Sequence, residues 1–342
     1  MIRGQRLKVL VVDDSMLFRE LLSRGLTSDP SIEVITAIDP FDARDKIIKY
    51  EPDVMTCDIE MPKMNGIEFI RRLLPQYPMP VIVVSTISEA VLDAVRVGAV
   101  EFITKPNVRS VKDVEIFIDE LIIKVKAAAN AKVLYNNESQ LTSNVVEKIK
   151  DNSNKIIAIG ASTGGTEAIY KLLRSLPSNI PGIVIVQHIP PVFSKMFAER
   201  LNLSTPLKVR EAKTGDFIEQ GNVLVAPGDK HMKIKKVGEI YKVECFDSDK
   251  VNGHCPSVDV LFESVAKEAG NKAIGVILTG MGYDGSKGLL AMRRKGARTI
   301  GQDEASSVVY GMPKAAFNIG AVERQASLSS IPQLICSMIG QE

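Results

Sequence analysis

At 342 residues the chain exceeds the roughly 250–300 at which one hydrophobic core usually divides, so two domains are expected. Hydrophobic residues make up 45% of it, enough for real cores, while a net charge of +2 argues against a broad polyphosphate-binding surface and hence against nucleic-acid binding. Four cysteines without CxxC spacing suggest neither a zinc site nor a disulfide framework, and no stretch reaches the ~18–20 apolar residues of a membrane span, so the expectation is a soluble cytoplasmic protein without membrane insertion.

The first elements are β-branched runs, Leu7–Val12, Asp53–Cys57, Val81–Val84 and Val100–Thr104, separated by helical periodicity as in Met16–Leu26 and Gly66–Leu74. Continuous apolar runs alternating with helices predict a doubly wound parallel sheet covered on both faces, which the amphipathic segment Val111–Ala129 closes. Polar residues fall at the carboxyl ends of these strands, the ligand-binding edge of such a sheet: Asp13 and Asp14, then Asp58, Ser85 and Lys105. Any one of them alone reads as a surface group at a strand end; five in order on four strand ends do not. Three converging carboxylates repel one another in a low-dielectric crevice, and a bound divalent cation relieves the conflict. Few hard oxygen ligands with retained waters point to Mg²⁺. Asp58, alone on a central strand, is the candidate nucleophile towards a phosphoryl group, with Lys105 and the Ser85 hydroxyl positioned for its oxygens.

The segments VVDDS, DVMTCDIEMPKMNG, VVSTIS and EFITKP resemble the response-regulator receiver family over residues 5–125. The resemblance implies five strands and phosphorylation of Asp58 from a histidine kinase. It also implies a metal held by Asp13 or Asp14, by Asp58 and by the backbone carbonyl of Glu60. Ser85 takes the switch role, with Thr86 its alternative, and Phe102 falls where the family has a rotating aromatic.

Residues 126–153 are rich in Asn, Ser and charge without sustained period and read as a polar linker with room for one short helix. Such a linker keeps the receiver at high effective concentration beside whatever follows, so the receiver is expected to restrain its neighbour until Asp58 is phosphorylated.

A second βα series starts at Lys155–Gly160 and continues through Gly182–Gln187, Leu207–Glu211, Val223–Ala226, Ala273–Leu278 and Arg298–Gly301. The alternation KHMKIKK–VGE–IYKVECF predicts an antiparallel hairpin inserted in this second doubly wound α/β domain, residues 154–342. Its first strand runs into Gly160-Ala161-Ser162-Thr163-Gly164-Gly165 and then an amphipathic helix. Three readings compete here: a nucleophile elbow of GxSxG form, a phosphate cradle, and a plain structural turn. A serine nucleophile needs a base and an orienting acid. All three histidines lie in this domain, and His188 ends the strand that follows the Ser162 element, which makes it the base; His231 or His254 is left as a substrate contact. Asp284 follows the strand of GVILTGMGYDGSKG and supplies the acid. Gly280, Gly282 and Gly285 also spell GxGxxG, yet Asp284 would set a carboxylate against a pyrophosphate, and a P-loop lysine is missing. Backbone N–H groups near Thr163–Gly164 or Met281 are candidates for the oxyanion, Thr163 for a bond to His188, and Tyr283 for packing or substrate contact.

IGASTGGTEAI, QHIPP, FAERL, APGDKHM, PSVDVLFESVAK, GVILTGMGYDG and DEASSVVYGMP resemble the catalytic domain of chemotaxis protein-glutamate methylesterases, Asp303 standing where that family commonly has Asn. The resemblance implies hydrolysis of glutamate methyl esters on methyl-accepting chemotaxis receptors, deamidation of receptor glutamines as a second activity, and no cofactor for the ester step. The residues alone reach as far as a phosphorylation-controlled serine hydrolase. Rival readings are a DNA-binding output domain, for which no helix-turn-helix or basic stripe is present, and a nucleotide-dependent enzyme.

Overall fold

The computed structural model describes residues 6–86, 90–108, 110–129, 131, 155–191 and 193–340. The chain divides into two compact units, Met1–Asn137 and Glu138–Glu342. The expected linker, 126–153, lies mostly outside the described residues; its first residues continue a helix that ends at Ala128.

The first unit alternates β1 (Leu7–Val12), α1 (Met16–Thr27), β2 (Ile32–Ala37), α2 (Pro40–Tyr50), β3 (Val54–Cys57), α3 (Gly66–Leu73), β4 (Val81–Ser85), α4 (Ala90–Arg96), β5 (Glu101–Thr104) and α5 (Val111–Ala128). Its parallel sheet has the order β2-β1-β3-β4-β5. The five strands are as expected, but β2 had no matching sequence run among those named: it is an edge strand, largely half-exposed, and carries less of the apolar signal. Helices begin where side chains satisfy their orphan N–H groups: Ser15 Oγ accepts from Phe18 N, Asp39 from Phe41 N and Asp42 N ahead of Pro40, and Asn65 from Glu68 N. Helices α1 and α5 cover one face of the sheet, with Phe18, Leu22, Phe117 and Leu121 packed on Val9, Val11, Ile82 and Val84.

The second unit runs β6 (Ile156–Ala161), α6 (Gly165–Arg174), β7 (Gly182–Gln187), α7 (Phe193–Ser204), β8 (Lys208–Glu211), β9 (Asn222–Val225), β10 (His231–Val237) and β11 (Ile240–Phe246). It continues through α8 (Val258–Glu268), β12 (Ala273–Ile277), α9 (Ser286–Arg294), β13 (Arg298–Gln302), α10 (Met312–Asn318), β14 (Arg324–Ala326) and α11 (Ile331–Ile339). Seven parallel strands are ordered β14-β13-β12-β6-β7-β9-β8. The expected hairpin is β10–β11, in register from His231↔Phe246 to Val237↔Ile240, with its apolar side, Met232, Ile234, Tyr241 and Val243, against α8. Strand β14, three residues at the sheet edge, was not foreseen.

In both sheets the winding reverses beside the first strand of the unit, between β1 and β3 and between β6 and β12. Crossovers leave on opposite faces there, opening a crevice at the strand carboxyl ends. Phe262 of α8 is fully buried, and its ring lies close under Gly160, so the helix presses on the strand that delivers Ser162. Phe262→Ala is expected to lower the unfolding free energy of this unit by about 3–5 kcal/mol; denaturant titration of the full chain checks it, and a loss under about 1 kcal/mol would show the site can collapse.

Candidate active site

In the first unit the residues expected to meet do meet. Asp13 and Asp58 are buried, Asp14 is exposed, and the three can bring carboxylate oxygens within 4.8 Å of one another. Lys105 Nζ lies 2.6 Å from Asp58 Oδ2 and 2.8 Å from Asp13 Oδ2. The Asp58 contact is a directed hydrogen bond, and the Asp13 contact is a close ion pair. Burial pushes the Asp58 carboxyl above its ordinary value despite the ammonium beside it. Lys105, although burial opposes its charge, is held protonated by the two carboxylates. One cation thus faces three carboxylates, and the donor set, hard carboxylate oxygens within 4.8 Å of one another, fits a divalent cation.

Asp58 is held by its surroundings. Glu60 N donates to Asp58 Oδ1 at 3.3 Å, and α3 begins so close that a Cβ at Gly66 would stand 2.0 Å from the Asp58 carbonyl oxygen. Ser85 Oγ is buried at the end of β4 without a partner, whereas Thr86 Oγ1 donates to Glu60 Oε2 at 3.2 Å. Of the two hydroxyls, Ser85 is the uncommitted one. Phe102 is buried.

In the second unit Ser162 follows β6, with its N–H donating to Thr279 O at 3.0 Å just past β12 and its carbonyl accepting from Gly165 N at 2.6 Å. The turn needs Gly164: its φ is +74°, and a Cβ there would meet Val308 at 2.6 Å. Ser162 keeps 9% exposure, and Thr163 beside it is buried. His188 follows β7, its N–H bonded to Ala161 O at 3.2 Å, and its Nε2 lies 2.8 Å from Asp284 Oδ2. That bond leaves Nδ1 as the free ring nitrogen, buried and without a partner. No hydrogen bond joins Ser162 Oγ or Thr163 to the His188 ring among the described residues. Neither do the N–H groups of Thr163, Gly164 and Met281 have protein acceptors among them.

Asp284 is the most heavily bonded of the group. Oδ2 also accepts from Val258 N at 2.7 Å, and Oδ1 accepts from Asn252 Nδ2 at 2.8 Å, Ser257 Oγ at 2.8 Å and Asp259 N at 3.3 Å. Burial opposes its charge, but the hydrogen bonds from His188, Asn252 and Val258 outweigh it and hold the carboxyl far below the usual range. The carboxylate caps α8 rather than facing a nucleotide, and Asp303 is occupied by Ser306 N and Oγ in a local turn, which removes the GxGxxG alternative.

His231 is structural: Nε2 contacts Asp249 O at 3.0 Å and Nδ1 accepts from Ser257 N at 3.2 Å. His254 stacks on His188, with ring centroids 3.6 Å apart and planes 11° from parallel. Tyr283 and Met281 are exposed beside the site. Sequence reasoning missed Gln187, Asn252, Ser257 and Asp259. Gln187 Nε2 donates to Ser162 O at 3.0 Å and His188 O at 3.1 Å, tying the two loops together from one buried amide. A polar residue ending an otherwise apolar buried strand was its one available signal.

Comparison with known proteins relates both units to known families. Residues 157–335 match the CheB methylesterase family model, and residues 9–113 match that of the response regulator receiver domain. A protein-glutamate methylesterase/protein-glutamine glutaminase 2 from Syntrophomonas wolfei is 54% identical over 342 residues, 99% of each chain. The corresponding Salmonella typhimurium protein is 44% identical over 98% of this chain and 97% of its own. The Thermotoga maritima CheB methylesterase catalytic domain superposes with a TM-score of 0.53 at 38% identity, covering 54% of this chain and 98% of that one. The chain therefore belongs to the CheB protein-glutamate methylesterase/protein-glutamine glutaminase family and carries the receiver domain of a response regulator.

Proposed function

We propose that this protein is a phosphorylation-activated serine esterase that removes methyl groups from glutamate esters of methyl-accepting chemotaxis receptors and deamidates receptor glutamines for sensory adaptation. Residues 5–125 are assigned as receiver, 126–153 as linker and 154–342 as catalytic domain. The observation that carries the reading is the five-donor Asp284 carboxylate, held ionised and bonded to His188, whose Nδ1 is buried and has no partner. In this reading Ser162 Oγ attacks the ester carbonyl while His188 Nδ1 takes its proton, and Asp284 stabilises the imidazolium. The N–H groups of Thr163, Gly164 or Met281 receive the oxyanion. His188 returns the proton to the departing methoxide, releasing methanol. Water then attacks the acyl-enzyme with the same base, freeing the glutamate carboxylate and regenerating Ser162; with glutamine the leaving group is ammonia. The ester step uses protein groups alone.

In the receiver, Asp58 is the phospho-acceptor for a chemotaxis histidine kinase. Asp13, Asp14 and Asp58, with the Glu60 carbonyl, would hold Mg²⁺, whose charge offsets the phosphoryl oxygens. Ser85 and Lys105 bind the phosphoryl group once it is attached, Ser85 through its unpartnered hydroxyl. No helix of the described residues is long and apolar enough to cross a membrane. In this reading the receptors are reached from the cytoplasm, without membrane insertion, and no nucleic acid takes part.

Ser162→Ala and His188→Ala should each abolish methanol release from methylated receptor membranes, with Asp284→Asn less complete, because triad members act as a unit and the acid is often the least costly to lose. Wild-type turnover in a folded Ser162→Ala protein would overturn the nucleophile assignment. Incubation with a small phosphodonor and Mg²⁺ should label Asp58 as an acid-stable, base-labile acyl phosphate and raise esterase activity; persistence of both effects in Asp58→Asn would remove Asp58 from that role.

Asp284 also predicts an acid limb in stability. Its folded pKa is depressed, so it contributes stability above its unfolded value, at about pH 4, and loses it as pH falls further. The stability difference between wild type and Asp284→Asn should therefore shrink below about pH 4 in denaturant titrations; a difference constant down to pH 2 contradicts it.

A further inference from the structure

A second carboxylate lies buried beside Asp284. Asp259, the second residue of α8, is 3% exposed. Its Oδ1 accepts from Gly288 N of α9 at 2.7 Å, and its Oδ2 accepts from Asn252 Nδ2 at 2.8 Å. The same Asn252 nitrogen donates its other hydrogen to Asp284 Oδ1, also at 2.8 Å. Two helices are thus capped crosswise, since Asp284 just before α9 caps α8 while Asp259 in α8 caps α9, and a single carboxamide joins the two caps.

The consequence is geometric. Asp284 must present Oδ2 to His188, and a carboxylate turns readily about its terminal torsion unless both oxygens are pinned. Val258 N holds Oδ2, while Asn252 and Ser257 hold Oδ1. Asn252 is in turn fixed by Asp259, and an amide nitrogen, having no lone pair to accept with, can face two carboxylates without adding charge. Burial, then the Asp284 charge, keep the Asp259 carboxyl above its ordinary value, whereas Asp284 is held far below it. Lys287 and Glu263 are the nearby charged groups that also act with Asp259. Helix capping alone explains Gly288 and Val258, but it gives Asn252 nothing to do, because neither of its bonds reaches a helix N–H.

We propose that Asn252 is a positioning residue that aims the Asp284 carboxylate at His188, and that Asp259 acts on the triad through Asn252. The proposal rests on the triad reading above. Its test exploits the Asn252 backbone, whose φ is +53°. Alanine would be strained there, whereas glycine adopts that conformation freely, so Asn252→Gly removes the amide and leaves both helix caps in place.

Methanol release by full-length Asn252→Gly should show kcat lowered about 10- to 100-fold with KM nearly unchanged, since a misaimed acid affects the transition state rather than binding. The downfield proton resonance of the His188–Asp284 hydrogen bond should shift or broaden, while thermal unfolding stays cooperative. Asp259→Asn, which keeps only one of the two acceptor oxygens, should lower kcat in the wild-type background but no further in Asn252→Gly. A kcat within about twofold of wild type and an unaltered resonance in Asn252→Gly, with Ser162→Ala inactive in the same assay, would overturn the positioning role while the triad stands. If Asp259→Asn multiplied the loss in the Asn252→Gly background, the link from Asp259 to the triad through Asn252 would be overturned. An active Ser162→Ala would instead refute the triad reading itself.

Discussion

Burying the Asp284 charge is the constraint on which much of the catalytic unit depends. A carboxylate taken out of water loses several kcal/mol of hydration, and only directed hydrogen bonds return it. Here they come from four separate places: the first turn of α8, the Ser257 hydroxyl, the Asn252 amide and the His188 ring. Each donor fixes an element. The α8 turn holds the helix whose Phe262 presses on β6, and the loop carrying Asn252 and Ser257 is drawn under the site together with His254, whose ring stacks on His188. His231 belongs to the same arrangement at one remove, since its Nδ1 accepts the Ser257 N–H and so orients the residue that donates to Asp284. The buried anion thus sets loop geometry as well as the imidazole tautomer.

The fold was legible wherever a strand is covered on both faces. β1, β3, β4, β6, β7 and β12 are almost wholly buried and read as unbroken apolar runs, whereas the edges β2 and β14 are partly exposed and short of such a signal. Ser162, His188, Asp284, Asp13, Asp58 and Lys105 could be named because parallel sheets place chemistry at strand carboxyl ends, and each follows such a strand closely. Asn252, Ser257 and Asp259 could not. They meet Asp284 across 25 to 32 residues of sequence, from the loop before α8 and its first turn, so no spacing or strand end ties them to the site. Gln187 was overlooked for another reason: as the last residue of a buried strand it reads as the strand's end, and its two carbonyl acceptors become visible only when the neighbouring loops are in place.

The two sites occupy equivalent crevices, at the winding reversal of their sheets, with opposite electrostatic balance. In the catalytic unit the carboxylate has more donors than one charge requires and stays ionised in a closed setting. In the receiver one ammonium answers three carboxylates, and burial raises Asp58 above its ordinary value. A site left short of positive charge invites a divalent cation; a site saturated with donors has no such need.

This contrast also accounts for which site can be switched. The hydrogen bonds of Asp284 come from two backbone N–H groups and from Ser257, Asn252 and His188, which suits a group that must hold one geometry. Asp58 accepts a short bond from Lys105 and one long bond from Glu60 N, while Ser85 Oγ beside it has no partner. A phosphoryl group on Asp58 would add charge and acceptor oxygens for the unpartnered Ser85 hydroxyl and the Lys105 ammonium to meet. The receiver thus has a donor left over that could meet an anionic group on Asp58. The catalytic unit has committed the donors around Asp284 to a single arrangement, so any switch would have to act away from that carboxylate.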